Sequence, residues 1–138
     1  MTSLDLFHDV KPEVAFTTQV IATDTTTVGA IIDALGYESI TFLLQSGTVT
    51  DGTYVPAIYA GDASDMSDEA VVTADFLLGT IATASFAAAD DNAAKWIGAI
   101  ACKRYFRIKI VSATTTSGAT LSGLALLGHP LTAPTSAV

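Results

Sequence analysis

The chain has 138 residues, enough for one domain that buries its own core without disulfides or a structural metal. Half of the residues are hydrophobic, 14% are charged, and the net charge is −8. This charge argues against nucleic-acid binding, which needs Lys and Arg to neutralise phosphates. One cysteine excludes an internal disulfide, and no signal peptide or membrane-spanning apolar run is visible, so we expect neither secretion nor a membrane partner.

Short segments rich in Thr and β-branched residues predict strands along most of the chain. Residues 1–13 are predicted to form an extended arm, since Lys11-Pro12 blocks a helix, and the arm could dock on a neighbour. A first strand on the chain's own sheet is the alternative. A strand or helical turn is predicted at residues 70–78, and strands are predicted at residues 16–22, 26–32, 40–45, 54–60, 79–86, 105–111 and 120–127.

The segment 105–111 has the clearest pattern. Phe106, Ile108 and Ile110 alternate with polar or aromatic residues, which indicates a sheet with one dry face and one wet or partnered face. Pro56 marks the strand at residues 54–60 as an edge or a bulge. The chain is therefore predicted to be all-β: a β-sandwich or jelly-roll-like single domain over residues 14–134, with the arm before it and a tail at residues 135–138.

The charged residues are clustered. Residues 62–69 hold four carboxylates, which could bind calcium, but their spacing does not fit an EF-hand, and a solvated acidic loop is favoured. Five of the six basic residues fall between Lys95 and Lys109. They could complement an acidic neighbour or another copy of this chain. The alternative is a solvated strand face that discourages aggregation.

No pattern of catalytic residues is present. Cys102 lies beside Lys103, but His8 and His129 are at opposite ends of the chain, so a small buried core residue is the favoured role of the cysteine. Zinc spacings, phosphate-binding loops and a nucleophile elbow are absent from the sequence. We expect no enzyme, no cofactor and no metal. Trp96, Tyr105 and Tyr37 could anchor an interface, but aromatics are also ordinary core residues of a sandwich, and a core position is favoured for Trp96.

Several stretches together resemble small structural proteins of tailed bacteriophages that are encoded near the major capsid protein. They are residues 31–39, 47–54, 61–69, 103–107 and 127–130, and the resemblance covers residues 14–134. The resemblance implies no functional residues. Proteins of this kind look like capsid decoration, or cement, proteins.

The resemblance implies a subunit that binds the major capsid protein, stabilises the head shell and lies on the capsid surface of the virion after assembly in the host cytoplasm. Self-association is expected, as a homotrimer before a dimer. The candidate contact residues are Leu6, Phe7, Tyr105, Arg107 and Lys109.

Three other functions stay open. A head–tail connector, tail or fibre-base component would differ in copy number. A carbohydrate-binding module would need a stacking platform made of exposed aromatics such as Tyr54, Tyr59 or Trp96. A hydrolytic enzyme would need a cleft that gathers the scattered carboxylates.

Overall fold

The computed structural model describes residues 6–131, which form two antiparallel sheets packed face to face. The predicted tail 135–138 and the first five residues of the predicted arm lie outside the described residues. In chain order the strands are β1 (Val10–Ile21), β2 (Thr26–Val28), β3 (Ile32–Asp33), β4 (Tyr37–Val49), β5 (Thr53–Gly61), β6 (Ala70–Val71), β7 (Leu77–Leu78), β8 (Phe86–Ala87), β9 (Ala94–Ile100), β10 (Tyr105–Ala113) and β11 (Ala119–Pro130). One helical turn, α1 (Ile81–Ala84), and two 3-10 turns, Leu6–His8 and Ala74–Phe76, complete the described elements.

The first sheet has five strands in the order β1-β11-β4-β9-β7. The second has β10 and β5 at its centre, with β2 and β3 on the free side of β10, and β6 and β8 on the free side of β5. The core lies between the sheets, where alternate residues of facing strands meet. Phe42 of β4 and Ile108 of β10 are both fully buried. The all-β sandwich prediction is confirmed, as is the alternation in residues 105–111.

The predicted arm 1–13 ends earlier than expected. Strand β1 begins at Val10, which pairs with Gly128, and Glu13 pairs with Ala125. Residues 10–13 therefore belong to the sheet, as in the alternative of a first strand. The reason is that their backbone groups find partners along the whole of β11, which Pro12 does not prevent on an edge strand. Leu6–His8 forms a 3-10 turn in front of the sheet.

The strand predicted over residues 26–32 is interrupted at Gly29. Its N–H donates to the carbonyl of Ile108 in the second sheet, while the N–H of Ala30 donates to the carbonyl of Ala15 in the first. A Cβ at Gly29 would lie 2.7 Å from the oxygen of Ala15 and 2.8 Å from that of Ile108. The glycine thus lets the chain pass between the two sheets and close one edge of the sandwich.

Two more strand predictions can be compared with the structure. Residues 79–86 do not form the predicted strand: Thr80 caps α1 by accepting a hydrogen bond from the N–H of Thr83, and only Phe86 enters a strand. Pro56 lies in β5 where neither β6 nor β8 covers the free side, which confirms the predicted edge.

Candidate functional site: the outer face of the five-stranded sheet

The side of the five-stranded sheet that points away from the core carries aligned rows of side chains. Leu43 of β4 lies between Leu124 of β11 and Trp96 of β9, because these residues pair directly in the sheet. Residues two positions away share the same face. We call this surface the outer face, and it comprises Pro12, Val14, Ser39, Thr41, Leu43, Gln45, Leu78, Ala94, Trp96, Gly98, Ile100, Ser122, Leu124 and Leu126.

The outer face contains no ionisable side chain, although the chain carries a net charge of −8. Its apolar members are open to water: Trp96 is 70% exposed, and Val14, Leu78, Ile100 and Leu124 are each about half exposed. Single exposed apolar residues are ordinary, but here Val14, Leu124, Leu43 and Trp96 stand side by side in one row across four strands. Such a row on an uncharged face marks a surface that contacts something else.

Trp96 is the most prominent side chain of this face, and the prediction that it lies in the core is wrong. Strand β9 pairs with β4 in a register that turns Ile97 inward, where it is 1% exposed. Trp96, one position earlier, must then point outward. The indole stands between two depressions of the surface.

The larger depression is a groove of about 950 Å³ at one end of the outer face. Leu6, Leu126 and Trp96 line it, and so do the polar residues Ser39 and His129. The hydroxyl of Ser39 and Nδ1 of His129 are 2.9 Å apart, which fixes the rim of the groove. The structure therefore brings Leu6, a predicted contact residue, to the same surface as Trp96.

The smaller depression, of about 340 Å³, lies on the other side of Trp96. Leu78, Thr83 and Thr41 line it, and Gly98 contributes no side chain to fill it. Strand β7 pairs with β9 at the edge of the sheet and places Leu78 opposite Gly98, so Leu78 forms one wall of this hollow and Trp96 forms another.

Phe7 follows Leu6 in the 3-10 turn, and the remaining predicted contact residues, Tyr105, Arg107 and Lys109, lie in β10 of the opposite sheet. Arg107 and Lys109 are paired with one carboxylate: Nε of Arg107 and Nζ of Lys109 lie 2.7 Å and 2.6 Å from the oxygens of Glu69. The Arg107 guanidinium, with Lys109 beside it, lowers the pKa of Glu69 to about 2. Tyr105 lies under the guanidinium of Arg104 at 5.0 Å. Arg107 and Lys109 are thus already paired with a carboxylate of their own chain.

The same holds for the remaining cations. Every Lys and Arg of the chain lies within the described residues, and each has a carboxylate partner inside the chain, as in the pairs Lys103–Asp62 at 2.9 Å and Arg104–Asp33 at 2.9 Å. Excess carboxylates therefore give the rest of the surface its negative charge. The hypothesis of a free basic patch for an acidic partner finds no support in this arrangement.

The acidic loop at residues 62–69 uses its carboxylates to hold its own backbone. Asp68 accepts hydrogen bonds from the N–H groups of Asp62 and Ala63, and Asp65 accepts one from Ser67. These bonds lower the pKa of Asp68 and of Asp65. Within residues 6–131 no group of three or more His, Cys, Asp or Glu is arranged to hold a metal ion, and no helix there is long and apolar enough to cross a membrane.

One further prediction about a single residue is wrong. Cys102 is exposed rather than buried, because it lies in the connection between β9 and β10. The stacking platform that a carbohydrate-binding module would need does not form from Tyr54, Tyr59 and Trp96: Tyr54 is fully buried, with its hydroxyl 2.8 Å from the carbonyl of Asp51. Tyr59 lies under Lys109 on the second sheet, on the far side of the molecule from Trp96.

Two solved structures share part of this architecture. The crystal structure of SPBc2 prophage-derived protein YomS has a TM-score of 0.47 and 13% identity over 86% of this chain and 93% of that one. The structure of infectious bursal disease virus Gx strain has a TM-score of 0.44 and 19% identity over 91% of this chain, which spans about a third (35%) of the viral chain. No protein-family model matches the sequence, and no curated protein matches it significantly. Similarity of this degree assigns neither a family nor a function.

Proposed function

We propose that this chain is a structural protein of a virus particle, and specifically a phage capsid decoration protein that binds the major capsid protein and stabilises the head shell. The observation that carries the proposal is the outer face: an apolar, uncharged and exposed sheet surface on an otherwise acidic protein. A chain that works alone in solution rarely leaves such a surface in water. The resemblance in sequence supplies the choice of a phage particle.

The distribution of charge supports assembly with other proteins. Burying an unpaired charge at an interface is costly, and the outer face can be covered without burying any. Every cation of the chain already has a carboxylate partner within the chain, and the outer face carries no charge, so apolar contact rather than attraction between opposite charges would hold a partner there. Many copies on one lattice also make weak single contacts sufficient, since each additional contact forms at high local concentration.

The turn Leu6–His8 is the proposed contact with the shell. Leu6 and Phe7 are 71% and 70% exposed, and they precede the first residue of the sheet. Removing residues 1–9 leaves every strand intact, whereas removing residues 1–13 also deletes four paired residues of β1. We expect the 1–9 deletion to melt like the full chain and to bind empty shells poorly. Unchanged binding by the shortened chain would discard this contact.

The copy number in purified virions tests the proposed function. Quantitative mass spectrometry against the major capsid protein gives the ratio directly. A ratio near one to one, or a simple fraction of it, is expected for a decoration protein. A dozen copies or fewer would place the chain in the connector, tail or fibre base instead, and absence from the particle would overturn the proposal as a whole.

A further inference from the structure

We infer that the outer face is where a second copy of this chain packs, as a two-fold pair in which Trp96 of each copy fills the hollow beside Gly98 of the other. The inference concerns the chain in solution and goes beyond its proposed place in a particle. It rests on shape, charge and area.

The shape of the face is self-complementary. Trp96 projects from it with 70% of its surface exposed, and the hollow of about 340 Å³ begins two residues further along the same strand. The two features are thus about 7 Å apart. A two-fold axis that lies in the interface between them brings each indole opposite the hollow of the other copy, as an isologous interface requires. An apolar cavity of about 150 Å³ already holds a benzene ring, so the hollow has room for an indole.

The charge of the chain favours another copy on this face rather than on any other. Two chains of net charge −8 repel each other wherever their carboxylates meet. The outer face has none, and two acidic residues, Asp9 and Glu38, line the groove at one end. Two copies that meet through this face keep their carboxylates apart, and they bury no unpaired charge.

The area of the face indicates a weak pair. Across the strands, from β1 to β9, the face spans four strands about 4.8 Å apart, or roughly 19 Å. Along the strands it spans seven residues of β4 about 3.4 Å apart, or roughly 24 Å. The flat area of roughly 450 Å² is smaller than the ~800 Å² per partner of a standard interface. We therefore expect a weak pair, with a dissociation constant roughly in the micromolar range or above and the Trp96 contact at its centre.

The sole tryptophan of the chain reports on this interface directly. In a dilution series of the full chain, followed by fluorescence and sedimentation velocity, we expect the mass to rise from 14.2 kDa to twice that value with increasing concentration. Over the same range the Trp96 emission should shift to shorter wavelength and acrylamide quenching should fall. A mass of one chain throughout, a trimer, or a dimer whose Trp96 stays open to acrylamide would each overturn the inference.

Two variants perturb the two parts of the contact. Trp96→Ala removes the projecting indole, and Leu78→Lys places a charge in the wall of the hollow. Each should raise the dissociation constant ~10-fold or more. Val111→Lys is the control, because Val111 lies in the opposite sheet and is about as exposed as Leu78. It should leave the dissociation constant of the pair unchanged within about twofold. A control that weakens the pair as much as Trp96→Ala would overturn the inference.

A mixture of the two variants tests the two-fold arrangement. In a mixed pair the intact indole of the Leu78→Lys chain meets the hollow of the Trp96→Ala chain, which keeps Leu78 and Gly98 and lacks only the wall that Trp96 provides. The missing indole and the introduced lysine both fall in the other contact. We expect the mixture to associate more strongly than either variant alone. Association no stronger than that of the variants would contradict the exchange of indoles. Virion copy number is unaffected by these results, so this inference and the proposed function can fail independently.

Discussion

Glu69 connects the acidic loop to strand β10, and its replacement tests the electrostatic account of the second sheet. Its two oxygens receive hydrogen bonds from Arg107 and Lys109, and all three side chains are about four-fifths buried. The fall of its pKa from 4.5 to about 2 corresponds to about 3 kcal/mol of stability at neutral pH. Allowing for screening at the partly exposed site, we expect Glu69→Gln to cost about 2 kcal/mol at pH 7.

The pH dependence follows from the direction of the shift. Because the pKa of Glu69 is lower in the folded chain, its contribution is complete above the unfolded value of 4.5 and is lost as the pH falls towards about 2. Urea unfolding at neutral pH and near pH 3 measures the difference between the wild-type chain and the variant. That difference should shrink by about half or more in acid.

Glu13→Gln is the matched control. Glu13 pairs with Lys11 at 3.7 Å, and both side chains are one-third exposed, so its loss should cost less than about 0.5 kcal/mol. Equal losses of unfolding free energy in Glu69→Gln and Glu13→Gln would refute the reasoning about this cluster. A difference between the wild-type chain and Glu69→Gln that does not change with pH would also refute it.

Two further substitutions test how the loops and the strand β11 are held. Asp51 accepts hydrogen bonds at about 3.0 Å from the N–H groups of residues 116–118, and these bonds lower its pKa. Asp51→Ala should therefore lower the melting temperature at neutral pH, and the difference should shrink in acid as the wild-type carboxylate is protonated. An unchanged melting temperature would contradict this. Gly123→Val should cost about 1–3 kcal/mol in urea unfolding, because a Cβ there would lie 2.8 Å from Cδ1 of Phe16. Gly47→Ala, where the nearest atom would be 3.4 Å away, should by comparison cost little, and equal costs would rule out the packing argument.

The sequence predicts a strand reliably where polar and apolar residues alternate. In β10 the charged Arg107 and Lys109 can lie only on the outside, so their positions determine which side of the strand faces the core. In β9 the same rule would give the wrong face, because the charged Lys95 lies on the same side of the strand as the buried Ile97, where Nζ donates to the carbonyl of Ser85 and to Asp90. Both Trp96 and Ile97 are apolar, and the choice between them depends on the register with β4, which single-sequence patterns do not contain.

The candidate site was missed for the same reason. The sequence predicts contacts at the basic residues of β10 because it does not show their carboxylate partner. That partner, Glu69, comes from a loop some forty residues away. Only the fold brings that loop back over β10. A usable signal for the outer face was the near absence of charge in the segments that form β4 and β11, where Glu38 and His129 stand near the strand ends. A strand without charge on either face is covered on both sides.

The accessibility of Trp96 in the assembled particle tests the central claim, that other protein subunits cover the outer face. Hydroxyl-radical footprinting of virions that contain the chain, compared with the dilute protein, measures oxidation of Trp96 against that of Tyr59 on the opposite sheet. The account predicts that oxidation of Trp96 falls several-fold in the particle relative to the dilute protein. Equal oxidation of Trp96 in the particle and in dilute solution would contradict it.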